Sequence, residues 1–233
     1  MAGNVVSDYI ARQLRLPGLA FPAPAGLLTW AVEYSAAMCA RSYHHGNLRS
    51  ALLERAEETL RDRGVQALSL RELARGIGVS HGAPRRHFGD RQALLDALAE
   101  DGFLRLGQDL DRAVSEAEPE CTARLQALAG AYVRFATRHA ALLELMYAGK
   151  HREGAESVYA AAERAFAVSL GVISAAQESG ELVPGDPESL AQVALATLHG
   201  LAAMANSGMV DAGELDTVVP DAVERLLSGL RRR

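Results

Sequence analysis

The sequence predicts an all-α protein of about nine helices, and three observations carry that expectation. Apolar residues recur every three or four positions from residue 46 onward, the spacing of a helix face. Capping residues and glycines fall between these runs, as helix ends require. Alternating β-branched runs are absent, and Ala and Leu dominate, so there is no strand signal.

The elements follow in order. Leu48, Leu52, Ala56 and Leu60 give one helix face, and Gly64 can close it. Ser69–Glu72, "SLRE", has the form of a capping box, with Ser69 and Glu72 satisfying each other's orphan N–H groups. It opens a short helix burying Leu70, Leu73, Ala74 and Ile77, which Gly78 ends. Ser80 is placed to cap a second short helix, 81–88. Asp90 caps a longer one whose face is Leu94, Leu95, Leu98, Phe103 and Leu106. Five further helices are expected. One has Pro119 near its first turn; a short apolar one is "HAALLELMYAG"; a long one closes at Gly180. The fourth opens on Asp186 as cap with Pro187 in its first turn, and the fifth ends the chain.

Three regions are expected. Residues 1–40 hold three of the eight prolines, the only Trp and no clean period. They read as an extension that is poorly ordered or dispensable, and Met38 makes an over-extended reading frame a natural explanation of 1–37. Residues 41–101 form a small helical domain, and 102–233 a larger one.

Net charge is −5, which by itself argues against a nucleic-acid binder, but the charge is uneven. Residues 71–91 carry five Arg against Glu72 and Asp90, a local +3, while 102–233 carry twelve basic against eighteen acidic groups. Cys39 and Cys121 are too far apart in sequence for a metal spacing or a disulfide framework, and they suit a reducing cytoplasm. No run reaches the roughly 18 apolar residues of a membrane span. The nearest, Leu16–Val32, is broken by three prolines. Phosphate-binding loops, H-E-x-x-H and Cys-His clusters are missing, so neither an enzyme nor a cofactor or metal is expected. His44 and His45 are adjacent and share no helix face.

Two short helices joined by "GVS" have the dimensions of a helix-turn-helix. Leu73, Ala74, Ile77, Val79 and Phe88 would face inward with Leu52 and Ala56. That leaves His81, Gly82, Arg85 and Arg86 outward. Gly82 lets backbone approach a groove closely, and Arg85 and Arg86 can fork onto guanine or phosphate.

The stretch "YHHGNLRSALLERAEETLRDRG…LSLRELARGIGVSHGAPRRHFGDRQALLDAL" resembles the N-terminal DNA-binding domain of the TetR family of bacterial transcriptional regulators. The match covers residues 43–100, with "SLRELA", "GVS", the "HF" pair and Arg91 in register. "ATLHGLA" (196–202) resembles the C-terminal domain of a subgroup named for Trp, His and Gly; His199 and Gly200 are present and the Trp is not.

The resemblance implies a cytoplasmic regulator, typically a repressor, which binds double-stranded DNA at a palindromic operator as a homodimer. An unidentified small-molecule effector would release it, with no membrane involved. The DNA-contacting candidates are Arg71, Arg75, Ser80, His81, Gly82, Arg85, Arg86, His87 and Arg91, with Tyr43, His44 and His45 from the preceding arm. Arg85 stands where the family usually has Tyr, a phosphate contact; Arg can hold a phosphate or read a base. The dimer would form through the last two long helices, with Leu190, Val193, Leu198, Leu201, Val219, Val223, Leu226 and Leu227 in a four-helix seam. For the effector pocket the candidates are Phe103, Leu106, Tyr132, Phe135, Leu142, Met146, Tyr159, Phe166 and His199, each equally at home in an ordinary core. A helical dimerisation module that has lost DNA binding remains the competing reading.

Overall fold

Four-residue spacing on the first run becomes helix α1 (Leu48–Arg63), which buries Leu52, Leu53, Ala56 and Leu60. The computed structural model describes residues 48–150 and 152–230, so the expectations for 1–40 and for Tyr43, His44 and His45 lie outside the described residues. Gly64 ends α1 at φ 76°, and its N–H reaches Leu60 O at 2.9 Å. A 3-10 turn (Val65–Ala67) leads to α2 (Leu70–Gly76). Ser69 sits at the N-cap in extended conformation, but its side chain makes no capping bond. Glu72 pairs with Arg75 instead of reaching back. The capping box expected from "SLRE" is therefore not formed; the i,i+3 ion pair competes for the same carboxylate.

The expected helix 81–88 is also corrected. Among the described residues this segment holds only a 3-10 turn, Pro84–Arg86, preceded by Ala83. Ser80 does not cap it; its carbonyl accepts from Ala83 N at 3.0 Å. Gly82 costs backbone entropy and Pro84 lacks an N–H, so the first turn of a helix is weak here. The Pro84 carbonyl does receive both His87 N and Phe88 N, at 3.0 and 2.9 Å, which closes the segment's end.

Six α-helices follow: α3 (Arg91–Glu116), α4 (Cys121–Arg138), α5 (Ala140–Lys150), α6 (Glu156–Glu178), α7 (Pro187–Asn206) and α8 (Leu215–Leu230). With α1 and α2 that makes eight α-helices among the described residues, one fewer than expected because 81–88 stays a turn. Asp90 caps α3 by accepting from Ala93 N at 2.8 Å. Asp186 caps α7 by accepting from Glu188 N and Ser189 N, with Pro187 first in the helix.

Helix α3 is the spine. It packs against α6, α4 and α5, while α4 packs in turn on α7 and α8. One continuous apolar cluster runs from Leu52 on α1 to Leu227 on α8. Gly107 lets α3 and α6 approach closely: a Cβ there would stand 3.1 Å from the Ala165 Cα. By length and mean hydropathy α6 could cross a membrane. Its Val158, Ala161, Ala162 and Ala165 are buried, however, while Glu163 and Arg164 lie on the exposed side.

The apolar residues expected in a seam from α7 and α8 are divided between interior and surface. Leu198, Val219, Val223 and Leu227 are buried within the chain. The outward apolar stripe lies on α7: Val193 is 55% exposed and Met204 39%, with Ala196, Gly200 and Ala203 exposed between them. The outer side of α8 is polar, with Asp216, Thr217, Asp221 and Arg225 exposed.

Candidate functional site

Two places carry chemistry. The first is the face built by α2 and the 81–88 turn. Leu73, Ala74, Pro84 and Phe88 are buried beneath it, and Ile77 and Val79 are half-buried. Phe88, 2% exposed, anchors the turn to the core. Gly78, at φ 73°, makes the bend between α2 and the turn. Outward stand Arg71, Arg75, Ser80, His81, Gly82, Arg85, Arg86 and His87, all exposed.

Partners sort these cations. Arg75 is paired with Glu72. Arg91, though exposed, is tied to the loop before α2: its Nε donates to Leu68 O at 2.9 Å and its Nη2 to Val65 O at 2.6 Å. Among the described residues no carboxylate pairs with Arg71, Arg85 or Arg86. They are cations at the surface, open to an anionic partner. Sequence reasoning missed Arg49. It is exposed on α1, and its guanidinium lies 5.8 Å from the Phe88 ring centroid, a cation–π distance. Its signal was its place in "NLR", at the start of the first helix.

The second place is a cavity of about 380 Å³. Leu110 of α3, Leu125, Leu128, Ala129 and Tyr132 of α4, Phe166 and Ile173 of α6, Leu195 and Leu198 of α7 and Leu227 of α8 are among its walls. Lys150, Tyr159, Glu163, Ser169, Glu188 and Gln192 add polar groups. Of the nine residues proposed from sequence, Tyr132, Tyr159 and Phe166 line it. Phe103, Leu106, Phe135, Leu142 and Met146 are buried in the core outside its lining, and His199 lies exposed on α7. Aliphatic α4 and α7 residues that sequence reasoning passed over supply much of the wall. Periodicity marks which residues point inward, not which interior gaps stay unfilled.

Beside the cavity three polar groups meet. The Tyr132 hydroxyl lies 3.2 Å from the Tyr147 hydroxyl and 3.0 Å from His199 Nδ1. Tyr147 meets His199 edge-on, with ring centroids 5.5 Å apart. Burial, reinforced by the neighbouring Tyr147, pushes the Tyr132 phenol far above its ordinary range. Burial also raises Tyr147, against the opposing effect of its bond to Tyr132. At the cavity's edge the Tyr159 phenol is pushed up, first by its hydrogen bond to Glu163. No cluster of three or more His, Cys, Asp or Glu residues able to hold a metal occurs among the described residues.

Comparison with known proteins fits this arrangement. A family model described as "Bacterial regulatory proteins, tetR family" matches residues 52–98, and one described as "Tetracyclin repressor-like, C-terminal domain" matches 125–230. The chain belongs to the TetR family. It is thus a member of a family of DNA-binding transcriptional regulators. This chain is 46% identical over 52 residues to the tetracycline repressor protein class C of Escherichia coli, and the match spans 22% of this chain and 24% of that repressor. A protein of unknown function from Rhodococcus sp. RHA1 is 52% identical, with TM-score 0.76, over 82% of this chain and 100% of that one. A TetR family transcription regulator from Marinobacter aquaeolei VT8 shares the fold, at 18% identity and TM-score 0.67, over 79% of this chain and 96% of that one.

Proposed function

We propose that this TetR-family chain is a sequence-specific DNA-binding repressor, active as a cytoplasmic homodimer and released from a palindromic operator by a small-molecule effector. It acts by binding rather than by catalysis. Residues 41–101 form its DNA-binding domain, and 102–233 its effector and dimerisation domain. The observation that carries this reading is the open basic face. Arg71, Arg85 and Arg86 are exposed and, among the described residues, meet no carboxylate, beside exposed His81 and Gly82, in a chain of net charge −5.

In this reading Arg85 and Arg86 meet the DNA first, with Arg71, His87 and the α1 residue Arg49 on flanking phosphates. Ser80, Arg75 and Arg91 serve mainly to position the turn. Tyr43, His44 and His45 belong to an arm that adds further backbone contacts. The dimer joins through the α7 stripe of Val193, Ala196, Gly200, Ala203 and Met204, flanked by the polar face of α8. The effector sits in the cavity of about 380 Å³, a volume typical of small-molecule sites. It releases DNA by preferring the state in which the two reading heads are wrongly spaced.

A gel shift with DNA from upstream of the protein's own gene tests this reading. Selective binding that falls steeply with salt is expected. Equal affinity for any duplex would remove the sequence-specific claim.

A further inference from the structure

We propose that the cavity takes an uncharged, largely apolar molecule bearing a hydroxyl, and that Tyr132, backed by Tyr147 and His199, reads that hydroxyl. This rests on the cavity being the effector site.

The polar groups in the lining differ in their access to water. Lys150, Tyr159, Glu163, Ser169, Glu188 and Gln192 are exposed or half-buried, so they belong to its wetter side. Tyr132, 2% exposed, is the one polar lining residue that is buried. Around it the wall is aliphatic, from Leu128, Ala129 and Leu198 among others. A ligand carboxylate or ammonium carried to that depth would lose water and find no buried counter-charge in the lining. An uncharged ligand pays no such penalty.

Donor accounting then selects the group. A phenol has one proton and two lone pairs. The Tyr132 oxygen already meets two neighbours, Tyr147 Oη and His199 Nδ1. In the tautomer with a proton on Nδ1 the histidine donates and the Tyr132 proton is free for Tyr147 or a ligand; with Nδ1 as acceptor, Tyr132 donates to it and accepts from Tyr147. In the second case one lone pair is left, on the residue that lines the cavity. A ligand hydroxyl, able to donate or to accept, fits either arrangement, whereas a ketone oxygen can only accept and fits one. Burial holds the phenol protonated, so Tyr132 keeps both a proton and lone pairs to offer.

The same cluster leads out of the cavity. Tyr147, on α5, stacks edge-on against Phe103 of α3, with ring centroids 6.1 Å apart. His199 lies on α7 next to Gly200 of the exposed stripe. A ligand bond at Tyr132 therefore acts on a group coupled to α3, which leads directly from the 81–88 turn, and to the helix proposed for dimer contact.

The test uses the full-length protein at pH 8 with the uncharged fluorophore N-phenyl-1-naphthylamine bound. Octan-1-ol, octan-2-one, octanoate and octylamine compete for it. Octan-1-ol is expected to displace the probe at concentrations about fivefold lower than octan-2-one, the worth of one neutral hydrogen bond, and lower still against the two ions. Tyr132→Phe should abolish the alcohol's advantage over the ketone, with the two competitors compared against the probe affinity measured for that variant. His199→Ala, at an exposed position, should reduce that advantage without altering the cavity wall. Ala191→Phe, which fills the lining, should weaken the probe and so locate it. Equal potency of all four competitors, or an alcohol preference that survives Tyr132→Phe, would overturn the hydroxyl reading alone. Failure of the probe to bind would overturn both that reading and the cavity's role as effector site.

Discussion

Arg85→Ala and Arg86→Ala should flatten the salt dependence of DNA binding, whereas Arg75→Ala should do so far less. Arg85 and Arg86 are exposed and meet no carboxylate among the described residues, while Arg75 is held by Glu72. Each phosphate neutralised contributes a slope of about −0.9 in log affinity against log salt. A dimer carries every substitution twice, so loss of one such contact should reduce the slope by about 1.8. Between roughly 50 and 200 mM salt, the wild type should therefore lose about 12-fold more affinity than the variant. The assay is fluorescence anisotropy on labelled upstream DNA at four or more salt concentrations, with Arg75→Ala as the internal control. Should Arg85 read a guanine instead, its slope will change little. Selectivity at one symmetric base position would fall by about 1–3 kcal/mol per half-site. Wild-type slopes and wild-type selectivity in both variants would refute the assignment of this face to DNA.

Three further outcomes follow from contacts elsewhere. Arg91→Ala should lower stability in urea melts by about 2 kcal/mol, because two carbonyls, Leu68 O and Val65 O, lose a charged donor. Gly107→Leu should destabilise by about 1–3 kcal/mol in the same melts, since even a Cβ would stand 3.1 Å from the Ala165 backbone and α3 must move off α6. Alkaline pH should destabilise the fold through Tyr132. Its folded-state pKa is raised, so its contribution is complete below the unfolded value of about 10 and is lost as pH climbs toward the folded value. From about pH 10 upward, toward the folded value, stability should fall by up to about 1.4 kcal/mol per pH unit more steeply in the wild type than in Tyr132→Phe.

Much of the fold was legible because helix faces and caps are local. Leu52, Ala56 and Leu60 are buried on α1 as their four-residue spacing requires. The Asp90 and Asp186 caps form because a short carboxylate one residue before a helix has N–H groups within reach. Ser69 shows where local signals stop deciding. Its partner Glu72 had a cation one turn away, and the sequence could not rank that ion pair against the cap. The 81–88 segment shows the same limit. Gly82 and Pro84 were visible as unfavourable to helix, but whether Ser80 would outweigh them was not. The exposed side of the basic face was readable because Phe88 and Leu73 fix which way it turns. The cavity was not, since a void is defined by residues from six helices that only tertiary packing assembles. His199 was recognisable as unusual from "LHG", yet its bond to Tyr132 spans 67 residues and leaves no local trace.

In the proposed function, two copies of the basic face built by α2 and the 81–88 turn read one palindromic site. Selection of bound sequences from random duplex DNA by the full-length protein tests it most directly. The account predicts one enriched inverted repeat, with half-site centres about one helical turn, ~34 Å, apart. It further predicts that enrichment is lost when Arg85 and Arg86 are both replaced by Ala. Recovery of no preferred sequence, or of a single half-site without its inverted partner, would contradict it.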